Sequence, residues 1–506
     1  MSTVYLVGAG PGDPGLITVR ARDLIERADV LVYDYLANKE FLAWAPDGCE
    51  KIYVGKKGGD HTLSQEGINE LLVDKALEEE GRVIVRLKGG DPYVFGRGAE
   101  EAEELVESGV AFEVVPGVTS AVAGPTYAGI PITHRSFASS VTFVTGHEDP
   151  TKDESAHNWK ALATSGSTLV FFMGVKNLPN IAASLMEHGM DPQTPAALVH
   201  WGTTCRQRSF VSSLDSIAEE AVALGYKAPS LIVVGEVCAL KDELDWFEMK
   251  PLLGATVAVT RAREQASGLV EKLRELGACT LEFPTIAIQP LEDTSQAEAE
   301  IARVFEYQWL VFTSVNGVKQ FFNVLDKMDL DARVLAQAKV AAIGPATAQA
   351  LRCRGVRPDF VPEKYVAEHV VEGMKKLGVK GRRILIPRAR VAREVLPEQL
   401  SEAGAEVTIL PMYDTVLSGN DPEEMTGPLE RGEVDYITFT SSSTVENFFT
   451  LVDPELLKKH RDGVRLAAIG PVTAETLASF GFTADLQPED YTIPGLVDAL
   501  LAAYSA

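Results

Sequence analysis

The stretch from Val83 to Gly98 reads VIVRLKGGDPYVFGRG, and it shows the pattern that decides the fold. A β-branched run ends abruptly at Gly89-Gly90-Asp91-Pro92, and an Ala- and Glu-rich segment of helical periodicity follows. Short β-branched runs are typical of buried strands, and Gly and Pro mark the turn into the next element. The stretch therefore predicts a strand, a glycine-rich turn and a helix.

The same alternation continues along the chain in both directions. Short β-branched runs precede periodic segments, as in VYLVGAG, VTFVTGH, LIVVGEV, TVAVTR, WLVFTS, VAAIG, RILIPR, YITFTS and LAAIG. This alternation is typical of α/β domains with largely parallel sheets. We therefore predict an α/β protein, and a chain of 506 residues suggests about three or four domains.

Composition and charge narrow the class of protein. Charged residues make up 24% of the chain and hydrophobic residues 46%, as in ordinary globular proteins. The formal net charge is −25, and no long run of Lys and Arg stands out. Because an acidic protein is repelled by nucleic acids and anionic membranes, we expect neither as a partner.

The cysteines and the apolar runs bear on the compartment. The five cysteines are scattered, with no CxxC pair and no Cys/His cluster, so we expect no metal site and a reducing compartment. The chain enters a strand at Val4 without a basic leader, and no apolar run approaches the length of a membrane span. We expect a cytoplasmic protein.

The chain divides near its middle, and the second part is duplicated. The acidic segment Leu240 to Gly254 interrupts the alternation of strands and helices, so we place the main boundary there. Beyond it, Arg261-Ala262-Arg263 recurs as Arg388-Ala389-Arg390 and Thr313-Ser314 as Thr440-Ser441, each 127 positions later. A shared offset over this length predicts a tandem duplication of an α/β unit, whose two lobes would face each other across a cleft.

Three glycine-rich segments of the first half carry candidate ligand-binding residues. Gly8-Ala9-Gly10-Pro11-Gly12-Asp13 follows a strand, but Asp13 occupies the third glycine position of a dinucleotide fingerprint, and Pro11 lacks an amide. A plain turn and another kind of cofactor loop are the alternatives. Asp91 could accept hydrogen bonds from a ribose or cap the next helix. Thr119-Ser120 after Pro116-Gly117 is also consistent with an ordinary helix cap.

Together the segments GAGPGDPGLIT, VRLKGGDPYVFGRGAEE, VVPGVTSA, YAGIPITHR, VTGH, FFMG and VVGEV resemble the tetrapyrrole methylase family, and more narrowly uroporphyrinogen-III C-methyltransferase, over about residues 1–240. The resemblance implies lobes at about 1–115 and 118–240, a linker at 241–252, and a homodimer formed through this half. It implies that S-adenosylmethionine, which leaves as S-adenosylhomocysteine, is bound by Pro11, Gly89, Gly90, Asp91, Val94, Thr119, Ser120, Met173 and Gly202. Asp34 would be the general base, Lys56 the general acid, and Arg97 and Arg135 would bind substrate.

The C-terminal half, about residues 253–506, resembles uroporphyrinogen-III synthase in VAVTRAREQASGLVEKLRELGA, FPTIAI, WLVFTSVNGV, AAIGPATA, PMYDT, YITFTSSSTVENFF and AAIGPVTA. The resemblance implies one lobe of about 253–286 plus 415–506 and another of 287–412. It implies that Tyr413 assists departure of the substrate hydroxyl. The candidate substrate-binding residues are Arg261, Thr313, Ser314, Gly344, Thr347, Arg388, Thr440, Ser441, Gly470 and Thr473, and helix capping is the alternative role of the Ser and Thr pairs.

We therefore expect a bifunctional enzyme of tetrapyrrole biosynthesis. Its C-terminal half would close hydroxymethylbilane to uroporphyrinogen III with inversion of the last ring, and its N-terminal half would methylate that product twice to precorrin-2, for sirohaem or cobalamin. Two other classes are weighed against it. A nicotinamide dehydrogenase would need the missing third glycine, and a two-lobed binding protein would match only the duplicated half.

Overall fold

The computed structural model describes residues 2–55, 63–147, 157–261, 263–362, 367–392 and 394–504, without the side chains of 263–267 and 367–368. These residues form two compact units. The first comprises Met1–Ala255, Lys272–Cys279 and Tyr504–Ala506, and the second comprises Thr256–Glu271 and Thr280–Ala503.

The first unit contains two sheets. Their strands are β1 Thr3–Gly8, β2 Val30–Tyr33, β3 Glu50–Tyr53, β4 Val83–Lys88, β5 Ala111–Val115, β6 Val141–Thr145, β7 Thr168–Phe172, β8 Pro195–His200, β9 Arg208–Ser213 and β10 Ser230–Val234. The first sheet has the order β3-β2-β4-β1-β5, and its neighbours are parallel. The second has the order β6-β7-β10-β8-β9, and only β6 and β7 are parallel among its described pairs. The prediction of largely parallel sheets is therefore wrong for the second sheet. For the pair β8 and β9 the reason is their short connection, which has no room for a crossover helix.

Helices follow most of these strands, as the alternation in the sequence predicts. They are α1 Val19–Ile25, α2 Gln65–Glu78, α3 Gly98–Glu107, α4 Ser120–Tyr127, α5 Trp159–Thr164, α6 Leu178–Glu187, α7 Ile217–Ala223 and α8 Lys241–Leu244. Strand β4 is buried on both faces, and its Ile84, Val85 and Leu87 are fully inaccessible. Arg86 and Lys88 on the same strand are also buried, which is exceptional for charged residues.

The C-terminal half contains two further sheets. Its strands are β11 Thr256–Val259, β12 Cys279–Glu282, β13 Ile286–Pro290, β14 Trp309–Phe312, β15 Lys339–Ala342, β16 Arg383–Ala389, β17 Glu406–Leu417, β18 Tyr436–Phe439 and β19 Arg465–Ala468. One sheet has the order β12-β11-β18-β19, and the other β13-β17-β16-β14-β15. The former sheet joins β11 and β12, the first two strands of the first repeat copy, to β18 and β19 of the second copy. The other sheet joins β16 and β17, the first two strands of the second copy, to β13, β14 and β15 of the first copy.

The helices of this half are α9 Arg263–Glu275, α10 Ser295–Ala302, α11 Val315–Lys327, α12 Pro345–Cys353, α13 Ala367–Leu377, α14 Val395–Glu402, α15 Glu423–Glu430, α16 Ser442–Leu451, α17 Pro454–Lys459, α18 Pro471–Ser479 and α19 Ile493–Tyr504. Within the described residues, no helix combines the length and the apolar character that a membrane crossing needs. The α/β fold class is confirmed.

A disulfide bond between Cys205 and Cys279 lies within the first unit. The two residues are 74 positions apart, and their Cα atoms are 5.2 Å apart. The sequence contains no signal for this pair, because the proximity of the two cysteines depends on how the loop after β8 packs. The argument from scattered cysteines to a reducing compartment therefore does not hold for this pair. Cys49, Cys238 and Cys353 have free thiols.

Candidate functional site

Three glycine-rich loops meet at the carboxyl edge of the first sheet. The first follows β1 at Gly8, the second follows β4 at Gly89, and the third follows β5 at Pro116. Gly90 donates its backbone N–H to the carbonyl of Gly10 at 2.7 Å, and Gly10 donates back at 3.2 Å. A Cβ atom on Gly8 would lie 2.5 Å from the Cα of Gly117 and 2.7 Å from the carbonyl oxygen of Gly90. Side chains are therefore excluded where these loops cross, and the backbones of the three loops pack directly against each other.

Asp91 joins two of these loops through its side chain. Its Oδ1 accepts the N–H of Tyr93 at 2.8 Å, and its Oδ2 accepts the N–H of Gly117 at 3.0 Å. The alternative that Asp91 caps the next helix is wrong, since α3 begins only at Gly98 with Arg97 before it. Because a carboxylate can accept about four hydrogen bonds, Asp91 retains acceptor capacity toward a ligand.

The third loop leads into α4, and the capping interpretation is confirmed there. Thr119 is the N-cap and accepts the N–H of Ala121 at 3.4 Å, and Ser120 is the first helical residue. A Cβ atom on Gly90 would lie 3.9 Å from the Cα of Thr119 and the nitrogen of Ser120. These residues therefore lie directly beside the Gly89-Gly90-Asp91 turn.

A fourth loop, between β8 and β9, closes against the first. Asp13 donates its N–H to Oγ1 of Thr203 at 3.1 Å, and a Cβ on Gly12 would lie 2.7 Å from Cγ2 of Thr204. Gly202 packs against α4, where a Cβ on it would lie 3.0 Å from the Cα of Gly124. Pro11 follows Gly10, which bonds to Gly90 of the second loop, and precedes Gly12, which packs against Thr204 of the fourth loop.

A groove of about 310 Å³ lies beside the loop that follows β4, and its lining residues come from that loop, from the start of α3 and from the ends of β6 and β7. They are Tyr93, Phe95, Arg97, Gly98, Ala99, Glu100, Thr145 and Met173. Val94 lies in the chain between Tyr93 and Phe95, next to the groove. Arg135 is exposed in another turn, and no described contact joins it to the groove.

Strained backbone occurs at the groove and in the loop between β8 and β9. Among the described non-glycine residues, positive φ angles occur at Phe95, Arg97, Met173, Trp201, Thr203 and Asp329. The first three line the groove, and Trp201 and Thr203 lie in the loop between β8 and β9. Such conformations persist only where the surrounding structure enforces them, and they cluster at ligand-binding sites.

Asp34 directly follows β2 and lies beside the Gly89 turn. Its Oδ1 accepts the N–H of Leu36 at 3.1 Å, and its Oδ2 accepts Nη2 of Arg86 at 3.3 Å. A Cβ atom on Gly89 would lie 2.5 Å from the Cβ of Leu36, which shows how closely the two turns approach. Lys56, the predicted general acid, lies outside the described residues.

The charged side chains at the groove are already paired. Nε and Nη2 of Arg97 donate to the two carboxylate oxygens of Glu100 at 2.8 and 2.7 Å, and this hydrogen bonding raises the pKa of Arg97 and lowers that of Glu100.

Burial lowers the pKa of the Lys88 ammonium, and the nearby Arg86 lowers it further. Sequence reasoning missed Arg86, Glu100 and Glu101 as site residues. The available signal was two basic residues in an otherwise apolar strand.

In the C-terminal half, candidate residues gather at one edge of the sheet β13-β17-β16-β14-β15. The hydroxyl of Tyr413 on β17 lies 3.0 Å from Oγ of Ser314, which follows β14. Burial raises the pKa of Tyr413, and the hydrogen bond to Ser314 opposes that shift. Arg388 on β16 is buried and forms an ion pair with Glu394. Thr313 precedes Ser314, and Gly344 follows β15 as the N-cap of α12.

The sheet β12-β11-β18-β19 carries the corresponding residues of the other repeat copy, of which Ser441 and Gly470 are helix N-caps. Ser441 caps α16 in a reciprocal capping box with Thr444, and Ser314 caps α11, so the capping interpretation is confirmed for both serines. Gly470 precedes Pro471 at the start of α18, as Gly344 precedes Pro345 in α12. Thr440 follows β18. Thr347 in α12 and Thr473 in α18 are buried. Arg261 follows β11, and burial lowers the pKa of its guanidinium.

The fold and these loops define an α/β protein whose N-terminal half brings glycine-rich loops together beside a groove and whose C-terminal half is duplicated. The family model of the tetrapyrrole (corrin/porphyrin) methylases matches residues 3–218, and that of uroporphyrinogen-III synthase HemD matches residues 267–498. A porphyrin biosynthesis protein HemD from Ruminiclostridium josui is 40% identical over 500 residues, which cover 98% of this chain and 97% of that protein. The chain thus belongs to the family in which a tetrapyrrole methylase domain is fused to a uroporphyrinogen-III synthase domain, a bifunctional arrangement for porphyrin biosynthesis.

Two further relatives match the first half. An S-adenosyl-L-methionine-dependent uroporphyrinogen III methyltransferase from Methanosarcina barkeri is 56% identical over 241 residues, 48% of this chain and 94% of that protein. A crystal structure of uroporphyrin-III C-methyl transferase from Thermus thermophilus with S-adenyl homocysteine is 40% identical, covers 47% of this chain and 99% of that one, and has a TM-score of 0.40. Both resemblances stated from the sequence are confirmed by the family models.

Proposed function

We propose that the C-terminal half converts hydroxymethylbilane to uroporphyrinogen III and that the N-terminal half methylates this product twice with S-adenosylmethionine, giving precorrin-2. The observation that carries the proposal is the meeting of four loops in the first unit, beside a groove that the loop after β4 lines. The relative from Methanosarcina barkeri, whose name specifies that cofactor and that substrate, supports the same assignment.

The described loops suit S-adenosylmethionine. The close backbone packing at Gly8, Gly90 and Gly117 holds the loop of Asp91 at the edge of the sheet, and Asp91 offers acceptor capacity for ribose hydroxyls. We propose that Pro11, Gly89, Val94, Thr119, Ser120, Met173 and Gly202 complete this site. When bound, S-adenosylmethionine supplies an electrophilic methyl group on a sulfonium.

The residues of the chain provide the remaining chemistry of methylation. The nucleophile is a pyrrole carbon, which becomes reactive as the ring N–H loses its proton. We propose that Asp34 accepts this proton, since its carboxylate lies at the edge of the sheet beside the Gly89 turn. Lys56 is proposed to return a proton, and Arg97 and Arg135 to hold substrate carboxylates. Arg97 would exchange its present partner Glu100 for such a carboxylate.

Cyclisation requires orientation more than a strong nucleophile. The substrate loses hydroxide, its last ring attacks through a substituted carbon, and a spiro intermediate opens and closes again. Tyr413 can donate its O–H to the departing hydroxyl, because its own hydroxyl lies beside Ser314 at the sheet edge where the candidate residues gather. Burial raises the pKa of Tyr413, so the phenol remains in its protonated form. We propose that the open amides at the starts of α12 and α18 bind substrate carboxylates, together with Arg261, Arg388, Thr313 and Thr440.

A single feeding assay tests both activities. The full chain is incubated with hydroxymethylbilane, with and without S-adenosylmethionine, and products are oxidised, separated by isomer and weighed by mass spectrometry. We expect the type III isomer alone without the cofactor, and a dimethylated product with it. Formation of the type I isomer, as in the heat-denatured control, would contradict the synthase assignment, and an unmethylated type III product would contradict the methyltransferase assignment.

Three wider features of this function are also proposals. We infer a cytoplasmic enzyme that supplies sirohaem or cobalamin synthesis, and a homodimer formed through the methyltransferase half. The bounds of the two catalytic domains, residues 1–240 and 253–506, and of their lobes remain predictions as well.

A further inference from the structure

A buried network of charges lies directly behind Asp34. Arg86 and Lys88 on β4 are each 3% exposed, and Glu101 on α3 is completely buried. Oε1 of Glu101 accepts Nζ of Lys88 at 2.5 Å and Nε of Arg86 at 3.3 Å. Gln65 of α2 donates to the same oxygen at 3.3 Å. The network therefore joins a central strand to two helices.

The guanidinium of Arg86 is held on each of its nitrogens. Nε donates to Glu101, Nη1 donates to the carbonyl of Leu87 at 3.1 Å, and Nη2 donates to Asp34 at 3.3 Å. A planar guanidinium can satisfy these directions at once, whereas the ammonium of a lysine is a point donor on a flexible stem. Arg86 thereby links the buried Glu101 of α3 to the Asp34 carboxylate at the end of β2.

Charge balance leads to the same residue. Two cationic side chains, Arg86 and Lys88, enter the interior with one buried carboxylate, Glu101, and buried charges persist only when they are paired. The second described carboxylate that contacts them is Asp34, whose side chain is 27% exposed. Asp34 is thus held by a buried cation on one oxygen, and its side chain remains partly exposed.

We propose that Arg86 is a positioning residue for methyl transfer, which orients the Asp34 carboxylate while buried Glu101 fixes the guanidinium from behind. This inference rests on the proposed function, in which Asp34 accepts the proton of the pyrrole ring. It assigns to Arg86 no contact with substrate or cofactor.

The test compares Arg86→Lys, Arg86→Ala and Asp34→Asn with Arg82→Ala as matched control, since Arg82 precedes the same strand and pairs at the surface with Glu78 and Glu79. Arg86→Lys should lower kcat of methylation by about 10²-fold, the cost of a misplaced catalytic group. Its affinity for S-adenosylmethionine, measured by calorimetry, should stay at the wild-type value.

Ethylguanidinium, which replaces the atoms deleted in Arg86→Ala, should restore turnover in that variant, and ethylammonium should not. Neither ion should raise the turnover of Asp34→Asn.

The outcomes separate this inference from the function on which it rests. A wild-type kcat in Arg86→Lys overturns the inference. A fall in kcat of Arg86→Lys that is accompanied by loss of cofactor affinity and of thermal stability also overturns it, because that pattern indicates a purely structural role. If Arg86→Ala is not recovered folded, Arg86→Lys carries the test, because it keeps the buried charge. Full turnover of Asp34→Asn overturns the base assignment and this inference together but leaves methylation intact. The absence of methylated product from the wild-type chain overturns the proposed methyltransferase function itself.

Discussion

At the scale of single residues, Asp91 shows how one carboxylate can organise loops and still face a ligand. It holds the N–H groups of Tyr93 and Gly117, and we expect Asp91→Ala to release both. Since hydrogen bonds to a charged group contribute about 1.5–3 kcal/mol, affinity for S-adenosylmethionine should fall by about 10- to 100-fold, with loss of methylation.

Cyclisation by the same Asp91→Ala protein should stay at the wild-type rate, because Asp91 belongs to the first unit. Calorimetry with the cofactor and the isomer assay measure the two effects on one sample, and Asp91→Asn, which keeps the shape and one acceptor oxygen, is the control. A parallel loss of cyclisation in a folded variant would mean that the two activities are coupled.

Tyr413 is the corresponding residue of the C-terminal half. Tyr413→Phe removes the O–H that lies 3.0 Å from Ser314 and keeps the buried ring. We expect kcat of cyclisation to fall by about 10²-fold, since general acid assistance is lost. Stability should change by only about 1 kcal/mol, the net contribution of one hydrogen bond.

The control for Tyr413 is Ser314→Ala, which removes the partner but leaves the phenol, and its effect on cyclisation should be smaller. Because burial raises the pKa of Tyr413, the protonated form persists through the ordinary range of phenol titration. The wild-type rate should therefore hold on the alkaline side until the pH approaches that raised pKa. Equal rates for wild type and Tyr413→Phe would remove Tyr413 from the mechanism.

At the scale of elements, the turns at the ends of β1, β4 and β5 depend on three glycines that touch. A Cβ atom on Gly117 would lie 2.2 Å from the carbonyl oxygen of Gly90 and 2.8 Å from the Cα of Gly8. Gly117→Ala should therefore push these loops apart at a cost of about 1–3 kcal/mol, and cofactor affinity should fall.

Gly48→Ala is the matched control for Gly117→Ala, because a Cβ atom there meets nothing within 4 Å. Thermal unfolding and calorimetric titration compare the two variants, and only Gly117→Ala should change the affinity. Wild-type affinity in Gly117→Ala would show that the crossing of the loops does not shape the cofactor site.

At the scale of the whole molecule, the disulfide between Cys205 and Cys279 adds a covalent constraint to the first unit. It closes a loop of 74 residues, and a loop of this length corresponds to about 4 kcal/mol in the chain-entropy model. Adding a dithiol reductant should therefore lower the urea midpoint of the wild-type protein. The Cys353→Ser variant, which lacks an exposed free thiol, should behave like wild type.

Thiol titration after unfolding without reductant checks the bond directly. Three thiols should react, those of Cys49, Cys238 and Cys353, and all five should react after reduction. Five reactive thiols before reduction would mean that the two cysteines are not bonded in the isolated protein.

Net charge makes a different prediction about the whole chain. A protein of −25 and a substrate with several carboxylates repel each other at long range, and salt screens this repulsion. Arg97 and Arg388 are already paired with Glu100 and Glu394, so they do not form an open steering patch. We expect kcat/KM of methylation for uroporphyrinogen III to stay level or rise from low to physiological ionic strength. Steady-state kinetics at constant pH measures this, and a steep monotonic fall would indicate an exposed basic patch instead.

Much of the architecture follows from local patterns in the sequence. The β-branched runs and glycine turns predict the α/β class, and the shared offset of 127 positions predicts the duplication. The motifs at Gly10, Gly90 and Gly117 end neighbouring parallel strands, and parallel strands bring their carboxyl ends to one edge of a sheet. Local periodicity and turn chemistry act over a few residues, so the sequence displays them directly.

By itself, then, the sequence determined the fold class, the fused families and the glycine-rich turns at the ends of the parallel strands. The tertiary structure alone decided the contact of Asp34 with Arg86, the burial of Glu101 behind it, the disulfide from Cys205 to Cys279, and the sheets that combine strands from both repeat copies. It also decided that Asp91 holds Gly117 rather than capping a helix. The physical reason is the same for each: these contacts join residues far apart in the chain, and their geometry is set by how whole elements pack rather than by any local pattern.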